Sequence, residues 1–348
     1  MKKIRIQLAN PQWIRQPQCE PQCEHYLRGA VFIDGVMHRA PNDIASSLPQ
    51  PGADGDAWGG AIARLNGFFA VVWQSRLQVV AAVDRIRSIP LFYGQNSEAI
   101  LISDDAEWIR QGVGDDAMDA IAHEEFQLAG YVTGKDTLYP NVKQLQPGEL
   151  LIVDKTAATP AVVTYRYYRF LHTEQNAGDE KVLRQALEHS AMASVRRLID
   201  YADGRQITVP LSGGYDSRLI ATLLCQLGYK NIVAFTYGFK GNKESAYSRQ
   251  VAQALGLAWH FVEYSDKQWR SAWDTDQRRQ YQKWASGWTS LPHIQDWVAV
   301  RALRNNRTVE KDCIFVPGHS GDFVAGSHIP DEAFQDSPVS IDTLVEKI

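Results

Sequence analysis

The stretch Ile207-Thr-Val-Pro-Leu-Ser212-Gly213-Gly214-Tyr215-Asp216-Ser217-Arg-Leu-Ile-Ala-Thr222 constrains the fold more than any other part of the chain. A β-rich run, Ile207 to Leu211, meets Ser-Gly-Gly-x-Asp-Ser, and a helical run follows at once, Asp216 to Leu227. Two adjacent glycines let the backbone turn tightly and come close to a ligand. The loop empties into a helix N-terminus, where unpaired N–H groups and the helix dipole favour an anion. Ser212 and Ser217 add hydroxyl donors, and Asp216 is a carboxylate able to hold a metal ion against phosphate oxygens. The physical reading is a cradle for a polyphosphate. The plain alternative is a chance glycine turn at a helix start, and the full hexapeptide between strand and helix argues against it.

This pattern resembles the pyrophosphatase loop of the N-type ATP pyrophosphatases, which cleave ATP between its α and β phosphates. It is not a Walker loop, because Gly-Lys-Ser/Thr at the helix start is absent.

Composition narrows the classes. At 348 residues the chain is long enough for two domains with their own cores. Apolar content of 45% and charged content of 22% are those of a soluble globular protein. A net charge of −4 gives no general case for nucleic-acid binding. No apolar run approaches a membrane span, and Met-Lys-Lys-Ile-Arg-Ile-Gln-Leu turns polar too soon for a signal peptide. The four cysteines, Cys19, Cys23, Cys225 and Cys313, suggest no disulfide framework, so a cytoplasmic location is expected. Cys19 and Cys23, with His25 nearby, lack the second ligand pair that a zinc site needs and read as loop thiols. Cys225 and Cys313 read as core residues. Trp269, Trp273, Trp284 and Trp288 fall in a polar helical region, Asp266 to Ser290, where packing anchors are the simplest role.

The first half is β-rich, with expected strands at Ile4–Leu8, Leu27–Ile33, Phe68–Trp73, Gln78–Asp84 and Ile100–Ser103. The Pro/Gly/Ser/Asp-rich segment Pro41 to Gly60 is expected to be a long loop or partly mobile insert. Helices are expected near Asp105–Gln111 and Asp116–Ala129, then a turn feeding a strand from Leu145 to Asp154. A polar connector, His172 to Asp179, separates domains 1–172 and 173–348. Beyond it the pattern alternates: helix Lys181–Tyr201, strand Ile207–Leu211, helix Asp216–Leu227, strand Ile232–Thr236, helix Lys243–Leu255, strands Trp259–Val262 and Cys313–Val316. Such alternation implies a parallel sheet with helices on both faces, binding ligands beyond the carboxyl ends of its strands.

Further segments carry a family resemblance. Leu65-Asn-Gly-Phe-Phe-Ala70 and Asp84-Arg-Ile-Arg-Ser-Ile-Pro90-Leu-Phe-Tyr93 resemble the second half of the asparagine synthetase glutaminase domain, and Leu145-Gln-Pro-Gly148 resembles a turn near its end. The run from Glu244 through Gly256 to His260 resembles the segment after the second strand of the synthetase domain. Pro317-Gly318-His319-Ser320-Gly321-Asp322-Phe-Val-Ala-Gly326 is similar to that domain's second glycine-rich motif. The chain is thereby identified as a member of the asparagine synthetase superfamily, with a degenerate glutaminase-like α+β domain of β-sandwich layers before an α/β nucleotide-hydrolase-like domain.

The resemblance implies the following roles. Ser212, Gly213, Gly214, Asp216 and Ser217 bind pyrophosphate, and Asp216 and Asp322 hold Mg²⁺. Leu211, Tyr237 and Gly318 line the adenosine site. A substrate carboxylate attacks the α-phosphate of ATP, and ammonia or an amine then displaces AMP. The Gly-His-Ser-Gly-Asp-Phe variant looks like relatives from surface-polysaccharide (lipopolysaccharide) pathways, so a uronic-acid sugar is the expected carboxylate.

Several positions depart from the family. Its glutaminase nucleophile is a cysteine exposed by removal of the initiator methionine, and here Lys2 stands there. Loss of glutaminase activity is therefore expected, since a thiolate with its own α-amine as base cannot be assembled. His319 and Phe323 replace acidic residues of the second motif. His319 is a candidate general base or a histidine that bonds its own loop. Arg218, where the family has a small residue, reaches a phosphate or carboxylate or pairs on the helix surface. His260 reads as structural. His293 and Asp296 read as helix caps or as residues of the substrate cleft. Relatives continue past the second motif with helices carrying a catalytic lysine, for which Lys347, in the helical-looking Ile341 to Ile348, is no credible substitute. A fragment, a partner of a separate C-terminal subunit or homo-oligomer, and an inactive remnant are all compatible readings. The leading expectation is an ATP-dependent, AMP-forming amide ligase. The alternatives are a non-catalytic ATP- or partner-binding homologue, and asparagine synthetase-type activity on aspartate.

Overall fold

The computed structural model describes residues 2–17, 23–171, 179–321 and 340. Cys19, most of the expected connector, Asp322, Phe323, Gly326 and the expected helix bearing Lys347 lie outside the described residues. The chain forms two compact units, Met1–Ala177 with Asp276–His293, and Gly178–Thr275 with Ile294–Ile348.

In chain order the first unit contains β1 (Lys3–Gln7), β2 (Ile14–Pro17), β3 (Glu24–Ile33), β4 (Val36–His38), α1 (Pro41–Ala45), α2 (Gly55–Ile62), β5 (Asn66–Gln74) and β6 (Gln78–Val83). Then come β7 (Phe92–Gln95), β8 (Ala99–Ser103), α3 (Ala106–Val113), α4 (Ala120–Ala129), β9 (Val142–Gln144), β10 (Glu149–Asp154) and β11 (Val162–Arg166). One sheet runs β11-β10-β6-β5-β3-β2, with β4 on β3, and a second runs β1-β8-β7-β9.

Alternation along the strands builds the layers. Phe69, Val71 and Trp73 of β5 pack with Ile44, Trp58 and Ile62 of α1 and α2. Ala70 and Val72, one residue out of phase, pack with Ile100 and Ile102 of β8. Leu101, between those two, packs with Ile109 of α3 and Ala122 of α4. Helices, sheet, sheet and helices are thus stacked in sequence. Strands buried on both faces read as continuous apolar runs, and every residue of β6 and β8 is buried.

The loop expected over Pro41 to Gly60 is corrected: α1 and most of α2 occupy it. Pro41 and Asp54 start helices as readily as they make loops, and the Asp54 carboxylate caps α2 by accepting the Ala57 N–H at 2.9 Å. The other expected helices and strands are present with shifted ends; α4, for instance, begins at Ala120 rather than Asp116.

The second unit contains α5 (Glu180–Ala202), β12 (Ile207–Pro210), α6 (Tyr215–Gln226), β13 (Ile232–Gly238), α7 (Lys243–Leu255), β14 (Ala258–Glu263) and α8 (Asp266–Trp273). After α9 (Asp276–Ser286), which belongs to the first unit, come α10 (Trp297–Asn305) and β15 (Ile314–Phe315). All four strands are parallel, in the order β14-β13-β12-β15. Ala234 of β13 faces Ala221 of α6 and Ala252 of α7. Val233 and Phe235, on the other face, meet Ala272 of α8 and Leu303 of α10. Strand order reverses between β12 and β15, and a crevice at such a switch point is where open α/β sheets take ligands.

The tryptophans of the polar helical region divide. Trp269 packs edge-on to Tyr264 at 5.5 Å, and Trp288 edge-on to Tyr139 at 5.1 Å. Trp273 and Trp284 are exposed, so those two are not buried anchors. Cys225 and Cys313 pack at the edges of cores and are free thiols. No helix among the described residues is long and apolar enough to cross a membrane.

Candidate nucleotide site

The β12–α6 loop is rooted in buried polar contacts. The Leu211 N–H donates to the Phe235 carbonyl at 2.8 Å, and the Leu211 carbonyl accepts the Thr236 hydroxyl at 2.5 Å. The hydroxyls of Thr236 and of Ser248 on α7 lie 2.6 Å apart, and Trp259 Nε1 donates to Ser248 at 3.2 Å. Thr236 and Ser248 are both buried, so this network ties the end of β12 to β13, β14 and α7.

Beyond Leu211 the loop is held by its own side chains. The Ser212 N–H donates to Ser217 Oγ at 3.1 Å, the two hydroxyls lie 3.2 Å apart, and the Gly214 N–H donates to Ser212 Oγ at 3.1 Å. Gly214 is the N-cap of α6, with φ −73° and ψ 166°, and no side chain caps that helix. Neither loop glycine adopts positive φ. Their smallness, not left-handed backbone, is what the loop uses: a Cβ on Gly213 would lie 2.9 Å from a Glu244 carboxylate oxygen. That carboxylate, on the first turn of α7, accepts the Gly213 N–H at 2.6 Å.

The second glycine-rich segment closes on this loop. A Cβ on Gly318 would lie 2.7 Å from the Ser217 backbone nitrogen, and one on Gly321 would collide with the Asp216 carboxylate. Only glycine lets the segment after β15 approach so closely.

A cavity of about 340 Å³ opens at this junction. Its loop side is lined by Leu211, Ser212, Asp216, Ser217 and Glu244, and its β15 side by Pro317, Gly318 and His319. Tyr237, Gln295 and Asp296 form a third wall. There the Tyr237 ring stacks on Tyr264 at 4.9 Å, and Tyr264 donates its hydroxyl to the Gln295 carbonyl at 2.8 Å. Burial, and then the hydrogen bond to Asp296, push the Tyr237 phenol up, so it stays protonated and acts as a donor. Asp296 is the N-cap residue of α10 yet makes no side-chain cap bond. The capping role considered for it is corrected, because its carboxylate takes Tyr237 instead.

The sequence-derived residues are partly gathered here. Leu211, Ser212, Asp216, Ser217, Tyr237, Gly318 and His319 line the cavity, and Gly213 and Gly214 form the loop backbone. Arg218 is absent from the cavity lining: its guanidinium donates to the Gly213 carbonyl at 2.7 Å and lies over the Tyr215 ring at 5.0 Å. His260 is exposed on β14, and the His293 carbonyl accepts the Tyr281 hydroxyl at 2.6 Å. Sequence reasoning gave Glu244 and Thr236 no role. The signal for Glu244 was an acidic residue in the first turn of the next helix, which is ordinary there.

No group of three or more His, Cys, Asp or Glu among the described residues could hold a metal by itself. Asp216 and Glu244 both line the cavity, and Mg²⁺ is usually held by one or two carboxylates together with substrate phosphates. The donor set therefore fits a cation arriving with a polyphosphate.

Residues 56–168 match the family model of a glutamine amidotransferase domain, and residues 183–276 that of asparagine synthase. A curated relative from Acanthamoeba polyphaga mimivirus, described as a "Probable asparagine synthetase" of the glutamine-hydrolyzing kind, is 30% identical over 222 residues, covering 58% of this chain and 36% of the relative. The chain thus spans about a third of that relative's length (36%). Among solved structures, the glutamine phosphoribosylpyrophosphate amidotransferase of B. subtilis aligns over 79% of this chain and 74% of its own, at 11% identity and a TM-score of 0.30. The NH3-dependent NAD synthetase of Campylobacter jejuni aligns over 41% of this chain and 59% of its own, at 14% identity and a TM-score of 0.28. At such scores neither alignment bears on function. The two family matches stand in the order amidotransferase then synthase, and with the curated relative they support an asparagine synthetase superfamily member.

Proposed function

We propose that the chain is an ATP-dependent ligase that activates a carboxylate as an acyl-adenylate and passes it to a nitrogen nucleophile. The observation that carries this reading is the cavity at the strand switch point, where an uncapped helix N-terminus, the Ser212 and Ser217 hydroxyls and the Asp216 carboxylate converge. Leu211, Tyr237 and Gly318 are the proposed adenosine contacts, and the Ser212–Ser217 loop the pyrophosphate contact.

In the proposed reaction a substrate carboxylate oxygen attacks the α-phosphorus. The bond from that phosphorus to the bridging oxygen breaks, and pyrophosphate leaves with the electron pair. The uncapped N-terminus of α6 and the Ser212 and Ser217 hydroxyls are the proposed stabilisers of its charge as it develops. Asp216, and on the family pattern Asp322, would hold Mg²⁺, which would supply further charge neutralisation. Ammonia or an amine then attacks the acyl carbon, AMP departs, and the nitrogen gives up a proton. His319 on the cavity wall is the proposed acceptor of that proton. Arg218 is proposed to hold the loop by its bond to the Gly213 carbonyl.

Free ammonia or an amine is the proposed donor. Burial raises the thiols of Cys225 and Cys313, the opposite of what an activated nucleophile needs. A uronic-acid sugar is the proposed carboxylate, on the likeness of the second glycine motif to polysaccharide-pathway relatives.

Calorimetric titration with Mg·ATP, beside Asp216→Ala, tests the cradle. Saturable binding that the substitution abolishes is expected, and binding indifferent to it overturns the phosphate assignment. Release of AMP and pyrophosphate with a uronate and ammonia tests the chemistry. Binding without AMP from any carboxylate, C-terminal partner present, leaves the non-catalytic homologue as the correct reading. AMP formed with aspartate alone favours asparagine synthetase-type activity.

A further inference from the structure

The Glu244 carboxylate occupies a backbone donor of the Ser212–Ser217 loop. It accepts the Gly213 N–H at 2.6 Å, and both its oxygens lie within 3.2 Å of where a Gly213 Cβ would be. It lines the same cavity as Ser212, Asp216 and Ser217. Glu244 belongs to the first turn of α7 and has no intrahelical need for this contact, because the Asn242 side chain caps α7 by accepting the Ser245 N–H at 2.7 Å. The loop's Gly213 donor is therefore satisfied by an internal anion.

An external anion has two consequences to face. It must displace this carboxylate from the Gly213 N–H, and it must then lie beside two negative charges, Glu244 and Asp216. A bare polyphosphate is repelled by both. A polyphosphate that arrives with a divalent cation is not, because the cation neutralises the phosphate and offers the carboxylates an oxygen-coordinated partner. We propose that Glu244 is a specificity-determining residue that makes the loop accept metal-complexed polyphosphate and reject the metal-free anion. This rests on the reading of the loop as a polyphosphate cradle.

Inorganic pyrophosphate, titrated calorimetrically into the full chain with excess chelator and again with excess Mg²⁺, is the test. Glu244→Gln keeps the side-chain shape and an oxygen to accept the Gly213 N–H, so thermal melting is expected to match the parent. In the parent, Mg²⁺ is expected to tighten pyrophosphate binding by about 50-fold or more. In Glu244→Gln, metal-free pyrophosphate is expected to bind about 10-fold more tightly than to the parent, and the preference for the Mg²⁺ complex to shrink accordingly. If the parent and Glu244→Gln both bind with the same metal preference, Glu244 is a loop strut, the proposal is overturned and the cradle stands. If neither binds pyrophosphate in either condition, the cradle and the proposal fall together.

Discussion

Two strand-following turns in this molecule carry similar residues and do opposite things. After β6, Asp84 turns inward: its carboxylate accepts the Phe69, Ile86 and Ser88 N–H groups at 2.9–3.0 Å and the Ser88 hydroxyl at 3.2 Å. It is 1% exposed, and its own carbonyl accepts the Gly148 N–H at 2.9 Å. After β12, the Ser212 loop turns outward: its hydroxyls and Asp216 face a cavity, and no side chain caps the helix that follows. Each turn pairs an Asp with Ser: Asp84 with Ser88, and Asp216 with Ser212 and Ser217. The difference lies in where the anion comes from. The first turn supplies its own carboxylate to its own amides, which makes it scaffold. The second bonds its Ser212, Gly213 and Gly214 N–H groups to Ser217, Glu244 and Ser212 but lines a cavity with Ser212, Ser217 and the Asp216 carboxylate, which makes it a receptor.

The largest expected effect is on the closed turn. Asp84→Ala removes the acceptor of several amides at a buried site, and leaving buried donors unsatisfied costs about 3–5 kcal/mol in total. Denaturant unfolding of the first unit is expected to shift by that much. A change under about 1 kcal/mol would mean the turn reorganises as freely as an exposed loop, and the contrast would fail.

The open turn responds in binding rather than in stability. Gly318→Ala places a methyl 2.7 Å from the Ser217 nitrogen, so the loop must shift. About 100-fold weaker Mg·ATP binding is expected, or about 3 kcal/mol, with little change in melting. A large loss of stability with intact binding would reverse the assignment of the two turns.

How much of this was legible beforehand depended on range. The hydrogen-bonding loop of β12 and α6 is written in six consecutive residues, Ser212 to Ser217, and its strand and helix are visible in the flanks. The layered packing of β5 and β8 was half legible: the apolar runs marked strands, but only the structure separates Phe69 and Val71 from Ala70 and Val72. Glu244 was opaque, and Asp296 only half legible as a cap or a cleft residue, for a different reason. An acidic residue at the start of a helix is the commonest of local signals, and here both carboxylates ignore their helices for partners brought near by strand order. The α9 segment was opaque as well. It has no buried residue, and its place with the first unit depends on pairing such as the Val132 N–H to the Thr289 carbonyl at 2.7 Å.

The root of the open turn offers a smaller test of how far scaffold and receptor are separable. Thr236→Val keeps the volume and removes the hydroxyl that bonds the Leu211 carbonyl and Ser248. A loss of about 1–2 kcal/mol in unfolding free energy is expected, because the Leu211 carbonyl at the loop's base loses a buried donor. Pyrophosphate affinity is expected to weaken about threefold, read by calorimetry. Unchanged affinity would show that the loop is shaped by Ser212, Ser217 and Glu244 alone.

The smallest effect concerns the charged attachment of the α9 segment to the first unit. Glu107 accepts hydrogen bonds from Arg110 at 2.8 Å and from Trp288 Nε1 at 3.1 Å, and Lys283 lies 3.9 Å away. The Arg110 hydrogen bond, with lesser help from Gln111 and Lys283, lowers its carboxyl from an ordinary 4.5 to about 2. A carboxylate lowered on folding contributes stability that is fully present above about pH 4.5 and is lost as pH falls through about 2. The group is partly solvated, so screening leaves about 1 kcal/mol. Glu107→Gln is expected to lower stability by that amount at pH 7 and to match the parent near pH 2, because there the parent's carboxyl is itself losing its charge. The same difference at both ends of the range would assign the contribution to the hydrogen bond with Trp288 rather than to charge, and would place Glu107 with Asp84 among residues that work by shape and satisfied donors.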